Sequence, residues 1–144
     1  MITYAQLKSA PHHFESLTGL SIGQFDTLLE KLEPIWQQMN YTRLDRPNRQ
    51  RSVGGGPDYK LELADRVLMT VMLLHLSLNM DALGQCFNVD KSTVSRNTRT
   101  ILPALHALQN GTYQWGNPPK RGQGKCVEQI LQDYPDLHEI FIGF

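Results

Sequence analysis

The sequence from residue 83 to residue 101 restricts the backbone conformations that this part of the chain can adopt. Gly84 is followed after four residues by Asn88, one of the few non-glycine residues that tolerates a positive φ, and Asp90 can cap a helix that starts after it. Apolar residues surround this turn at a spacing that pins two crossing helices: Leu83, Phe87, Val89, Val94 and Ile101. The pattern predicts a helix-turn-helix over residues 78–101, with Gly84 where the two helices touch.

The second predicted helix turns polar and basic side chains away from its apolar positions. These candidate site residues are Lys91, Ser92, Thr93, Ser95, Arg96 and Arg99. Arginine pairs with guanine edges, hydroxyls bond several base edges, and a helix N-terminus attracts phosphate. The face therefore predicts DNA binding; the alternative is an antiparallel helix pair in a bundle with a polar outer surface. Asn97 stands where many such modules have an apolar residue, so we expect Thr98 and Ile101 to form the inner face.

Helical periodicity extends over most of the remaining chain. Short helices are predicted at 4–10 and 12–17, an amphipathic helix follows Ser21 with a kink or break at Pro34, and a buried central helix spans 63–78. The predicted fold class is all-α: a multi-helix domain that contains the helix-turn-helix and ends in a short strand-like tail.

Charge is unevenly distributed, although the formal net charge is zero. Residues 40–125 carry twelve Lys and Arg against six Asp and Glu, whereas both ends of the chain are acidic, and such a basic segment is typical of a polyanion binder. A Gly/Pro-rich stretch within this basic segment is expected to add phosphate or minor-groove contacts, or else to be a connector that contacts nothing. Its basic residues are Arg43, Arg46, Arg49, Arg51 and Lys60. A weaker supplementary patch is Lys120, Arg121 and Lys125.

No pattern in the sequence predicts catalysis, a metal site or a cofactor. Cys86 and Cys126 form no C-x-x-C pair and have no His at metal-ligand spacing. The glycines at 54–56 lack the Lys-Ser/Thr and the preceding strand of a phosphate-binding loop. The longest apolar run, near 67–78, is too short to cross a bilayer and no leader opens the chain, so we expect a cytoplasmic protein without a membrane partner.

Four stretches of the chain resemble one known group of proteins. They are L-T-G-L-S-I-G-Q-F-D-T-L-L (17–29), G-G-G-P-D-Y-K-L (54–61), D-R-V-L-M-T-V-M-L-L (65–74) and F-N-V-D-K-S-T-V-S-R-N-T-R-T-I-L-P-A-L (87–105). This pattern is similar to the N-terminal region of bacterial insertion-sequence transposases, in which a helix-turn-helix precedes a nuclease domain of the DDE superfamily. The resemblance implies binding of the element's terminal inverted repeats through this region. It also implies DNA cleavage by a separate domain that uses three acidic residues and two divalent metals.

The resemblance carries no catalytic acid onto this chain. In relatives the first catalytic Asp follows a segment like Y-P-D-L. Here D-Y-P-D-L-H-E-I-F-I-G-F (133–144) has Gly143 at the expected position, and Phe144 is the last residue. The resemblance therefore implies a chain truncated before its catalytic domain, and we expect no enzymatic activity.

The patterns and the resemblance together predict four segments. Residues 1–39 form N-terminal helices, 40–60 a basic Gly/Pro linker, and 61–109 the helix-turn-helix DNA-binding domain. Residues 110–144 form a loop, a short helix and the truncated start of a DDE nuclease domain, with the strand-like run at 138–142.

The predicted function is recognition of transposon-end DNA, the inverted repeat, without catalysis. The alternative is a folded transposase relic or a protein-interaction module without specific DNA binding. The expected partner is double-stranded DNA, with full-length transposase or a second copy of the chain as further candidates. The resemblance places the protein in the bacterial cytoplasm, on the nucleoid when it is bound to DNA.

Overall fold

The computed structural model describes residues 2–44, 62–108, 115–120, 122–138 and 140, with the backbone alone at 40–44. Its helices are α1 (Tyr4–Leu7), α2 (Pro11–Thr18), α3 (Ile22–Leu44), α4 (Leu63–Leu76), α5 (Met80–Phe87), α6 (Lys91–Ala107) and α7 (Val127–Asp133), followed by a 3₁₀ turn at Pro135–Leu137. No strand occurs in the described ranges, where Leu78 and Lys125 form an isolated parallel bridge. The all-α prediction is confirmed.

The central helix of the fold is α4. Apolar residues occur on nearly all of its sides, and it packs against α2, α5 and α6 at once. Its fully buried side chains are Val67, Leu68, Met69, Val71, Met72 and Leu73. A helix that is apolar all round can be stable in water only if neighbours cover it, so α4 organises the other elements around itself.

An aromatic cluster joins the N-terminal helices to one another. Tyr4, Phe14 and Phe25 come from α1, α2 and α3, and their ring centroids lie 4.8–5.6 Å apart. The backbone N–H of Tyr4 donates to Asp65 Oδ1 of α4 at 2.8 Å, and the Tyr4 hydroxyl donates to Asp26. Desolvation and the neighbouring Asp26 carboxylate raise the pKa of Tyr4. The N-terminal helices are therefore part of the same core as α4.

Helix α3 passes through Pro34 without a break, contrary to the predicted kink or break. Proline removes the hydrogen bond that its N–H would donate to Glu30, but both residues are exposed, so water can bond that carbonyl oxygen. The helix continues to Leu44, past the start of the predicted 40–60 linker. The rest of that linker lies outside the described residues.

The C-terminal segment packs onto the connection between α4 and α5. The N–H of Lys125 donates to Ser77 O at 2.7 Å, and the N–H of Asn79 donates to Lys125 O at 2.8 Å. Farther along, Ile130 and Leu137 are buried in the same core as α4. Part of the segment expected to begin a nuclease domain therefore completes this core.

The predicted strand at 138–142 is wrong at both of its described residues, His138 and Ile140, which are helical. His138 has helical backbone angles, φ −54° and ψ −41°, because the 3₁₀ turn that begins at Pro135 continues into it. Residues 139, 141 and 142 lie outside the described part of the chain.

Gly124→Ala is expected to lower the free energy of unfolding by about 1–3 kcal/mol. A Cβ at this position would lie 2.5 Å from Asn79 Cα, so the C-terminal segment would have to move off α5. The matched control is Gly116→Ala, whose Cβ would meet nothing within 4 Å. Urea unfolding followed by circular dichroism compares the two variants, and equal losses would contradict this close packing.

Candidate nucleic-acid interface

The turn between α5 and α6 has the geometry predicted for Asn88. This residue caps the C-terminal end of α5 with φ 55° and ψ 44°, in the left-handed region. The N–H of the next residue, Val89, donates to Gly84 O at 2.9 Å, which closes the turn. The chain thus leaves one helix and enters the next within three residues.

Gly84 is required because the turn folds back onto α5. A Cβ at this position would lie 2.7 Å from Val89 O, closer than Cβ atoms come to such neighbours in real proteins. The predicted role of Gly84 at the contact is therefore confirmed. The apolar residues expected to pin the crossing are all fully buried except Val89, which is partly buried: Leu83, Phe87, Val94 and Ile101.

Asp90 caps the N-terminus of α6, as predicted. Its Oδ1 accepts hydrogen bonds from Thr93 N at 2.9 Å, from Thr93 Oγ1 at 2.7 Å and from Ser92 Oγ at 3.1 Å. These hydrogen bonds hold the pKa of Asp90 below its usual value, and the charge of Arg96 adds to the effect. A carboxylate therefore already occupies this helix end, and the contribution of Ser92 and Thr93 to DNA binding stays a prediction.

The outward face of α6 brings together the six residues predicted on it. Lys91, Ser92, Arg96 and Arg99 are exposed, while Thr93 and Ser95 are partly buried. Arg99 Nη2 donates to Ser95 Oγ at 3.1 Å, one turn earlier on the same face. The opposite side of the helix is buried and consists of Val94, Asn97, Thr98, Ile101, Ala104 and Leu105. The helix can therefore present two arginines to a partner without losing a core contact.

The basic residues expected between α3 and α4 are not described at this interface. Arg43 belongs to the last turn of α3, where the structure describes the backbone alone. The others lie outside the described residues: Arg46, Arg49, Arg51 and Lys60. Their contribution to binding stays a prediction.

Asn97 has a role that the sequence pattern missed. It is 5% exposed, and its Nδ2 donates to Arg66 O at 3.0 Å and to Thr70 Oγ1 at 3.2 Å. It therefore belongs to the inner face with Thr98 and Ile101, and it joins α6 to α4 by a polar contact. The signal for it was Thr70, a polar residue in the middle of the apolar helix α4.

The described residues outside this face form no further candidate site for catalysis or metal binding. No group of three His, Cys, Asp or Glu among the described residues is placed to hold a metal ion. Desolvation by burial raises the pKa of the Cys86 thiol to about 12, so it stays protonated at neutral pH. None of the described helices is both long enough and apolar enough to span a bilayer.

Comparison with known proteins identifies the segment that carries this interface. Residues 59–108, about a third of the chain, match the family described as helix-turn-helix of DDE superfamily endonuclease. The match takes in α4, α5 and α6, and it confirms the predicted resemblance of this segment to the helix-turn-helix of the DDE superfamily. Neither the curated proteins nor the solved structures contain a significant match to the chain.

Asp90→Ala is expected to lower the melting temperature at neutral pH, because the first turn of α6 loses its cap. The folded pKa of Asp90 lies below that of the unfolded chain, so its carboxylate stabilises the fold above about pH 4. That contribution is lost as the pH falls through the folded pKa. The difference between wild type and Asp90→Ala should therefore shrink in acid.

Asp90→Asn is the matched control, since asparagine caps a helix but does not titrate. Its advantage over alanine should stay the same across the pH range. Thermal unfolding between about pH 7 and pH 3 tests both statements. A difference between wild type and Asp90→Ala that does not change with pH would contradict the assigned role of the carboxylate.

Asn97→Ala is expected to lower the free energy of unfolding by about 2 kcal/mol, and Asn97→Leu to recover most of that loss. Leucine fills the space, and Arg66 O keeps the hydrogen bond that Thr70 Oγ1 donates to it at 3.1 Å. The Thr70 hydroxyl loses the donor Asn97 Nδ2 but stays bonded as a donor itself. The substitution also removes the buried Asn97 Oδ1, which has no hydrogen-bond partner. Urea unfolding of both variants tests this, and equal losses would show that the amide itself stabilises the fold.

Proposed function

We propose that this chain, whose residues 59–108 match that helix-turn-helix family, binds double-stranded DNA through the outward face of α6. The observation that carries the proposal is the exposure of Arg96 and Arg99 on a helix whose other side is buried. Two arginines three residues apart on one exposed face concentrate positive charge, which suits a polyanion such as DNA. This exposed pair of arginines supports DNA binding over the interaction-module alternative.

The second helix of such a module lies in the major groove, with its N-terminal turns nearest the base edges. Arg96 stands in the second turn of α6, where it can reach the O6 and N7 atoms of a guanine. Arg99 follows one turn later, and its side chain donates a hydrogen bond to Ser95. Lys91 is the first residue of the helix. The carboxylate of Asp90 repels phosphate at the tip of α6, so we assign the phosphate contacts to the lysine and to side chains along the helix.

The DNA that we propose as target is the terminal inverted repeat of the element that encodes the chain. Family membership of the α4–α6 segment supports this, because a transposase must find its own ends. We expect binding and not cleavage from this chain. A protein that binds ends without cutting them competes with full-length transposase, and it acts in the bacterial cytoplasm on the nucleoid.

Fluorescence anisotropy with two labelled duplexes, the terminal repeat and a scrambled sequence, tests the proposal across a salt series. The wild type should prefer the repeat. Arg96→Ala and Arg99→Ala should each weaken binding to the repeat by about 1–3 kcal/mol, because one bidentate contact to a base is lost. Lys31→Ala, which removes an exposed charge from α3, is the control and should bind like the wild type.

Each outcome of this experiment has a distinct meaning. Equal affinity for both duplexes with a steep salt dependence would reduce the proposal to phosphate binding alone. Absence of binding at low salt, with a normal circular dichroism spectrum, would refute it and favour a folded relic. If Lys31→Ala also lost the preference for the terminal repeat, the assignment of DNA binding to α6 would be refuted.

A further inference from the structure

A groove of about 540 Å³ runs beside the outward face of α6 and lies partly outside the helix-turn-helix. One wall consists of side chains from α6, among them Ser95, Arg99 and Leu102. The other wall consists of Met80 at the start of α5 and Pro118 from the segment 115–120. The groove is therefore shared between the family-matched part of the chain and a segment that follows it.

Two anchors hold the segment 115–120 next to α6. At one end, Gly116 O lies 3.3 Å from His106 Nε2 in the last turns of that helix. At the other end, Lys125 pairs with the residues before α5, and the close approach of Gly124 to Asn79 fixes the spacing. Pro118 and the exposed Lys120 lie between these anchors, so the segment is held where it could touch whatever α6 touches.

The lining of the groove combines an apolar surface with a cationic rim. Leu102, Met80 and Pro118 present carbon atoms, while Arg99 and Ser95 present polar groups. Lys120 is two residues from Pro118, no more than about 7 Å along the chain, and it adds a second cation. A DNA strand has the complementary pattern, because each deoxyribose is a mostly apolar ring with a negatively charged phosphate on both sides.

We propose that this groove seats the sugar–phosphate backbone of one DNA strand, with Lys120 bonding a phosphate and Pro118 contacting the sugar. The segment 115–120 is then a second DNA-contacting element, outside the helix-turn-helix. This inference rests on the proposed function and extends it to residues beyond the family match. It assigns Lys120 to affinity and not to base choice, since a phosphate contact carries no sequence information.

The charge of Lys125 is less available to a DNA phosphate than the charge of Lys120. Its Nζ lies 3.3 Å from Asp133 Oδ2, and both side chains are about half exposed. An ion pair of this kind partly compensates the lysine before any DNA arrives. The supplementary patch predicted from the sequence therefore divides: Lys120 faces solvent without that partner, Lys125 is paired, and Arg121 lies outside the described residues.

Lys120→Gln and Lys125→Gln form a matched pair, because both remove one positive charge from the same part of the chain. Lys120→Gln should weaken binding to the repeat and to the scrambled duplex by the same factor, about five-fold near 0.15 M salt. It should also reduce the slope of log affinity against log salt by about 0.9, the value for one lost phosphate contact. Lys125→Gln should keep the wild-type slope.

Leu102→Trp tests the groove itself, because the larger side chain fills the space that the sugar would occupy. It should weaken binding to both duplexes while the circular dichroism spectrum stays that of the wild type. Should it not fold, Lys120→Gln, a change at an exposed residue, still decides the question.

The results separate the two proposals. If the wild type binds DNA and Lys120→Gln keeps its affinity and slope, the groove proposal is overturned while α6 remains the binding face. If Lys120→Gln changes the preference between the two duplexes, Lys120 contacts bases and the backbone assignment is wrong. If the wild type binds neither duplex, both proposals fail together.

Discussion

A buried polar contact from the amide of Asn97 sets the register of α6 on α4, and that register decides which side chains of α6 point outward. The neighbouring apolar residues, Val94 and Ile101, attract α4 without fixing how far along it they lie. A hydrogen bond from Asn97 Nδ2 to Arg66 O, 3.0 Å long, does fix it, because the bond weakens steeply with displacement. The same amide leaves its Oδ1 buried without a hydrogen-bond partner, and this lowers the stability of the fold.

The segment that matches the family does not make this core alone. Asp65 of α4 accepts the N–H of Tyr4, so α1 is oriented by the same helix that supports α6. Ile130 and Leu137 add apolar surface from the other end of the chain. The helix-turn-helix is thus enclosed on both sides by elements from outside the family match, and its outward face stays free.

Sequence patterns predicted best where neighbouring residues decide the conformation. The roles of Gly84, Asn88 and Asp90 depend on contacts within about ten residues, and all three agree with the structure. Predictions that depend on distant contacts were weaker. Asn97 is buried because it pairs with Thr70 and Arg66, which lie 27 and 31 residues earlier in the sequence. A rule that considers only neighbouring residues cannot predict that pairing. Pro34 lies within an intact helix because that side of α3 faces solvent.

The parallel bridge between Leu78 and Lys125 has a consequence for how we expect the molecule to open. Leu78 is fully buried, and the backbone just after it begins α5, so releasing the C-terminal segment exposes apolar surface at the entry to the helix-turn-helix. We expect local opening that starts there to spread into the motif instead of stopping at its edge. Amide hydrogens of α5 and of the residues around Lys125 should then exchange with solvent as one cooperative unit. We therefore expect the smallest part of this protein that unfolds as a whole to be larger than the segment that matches the helix-turn-helix family.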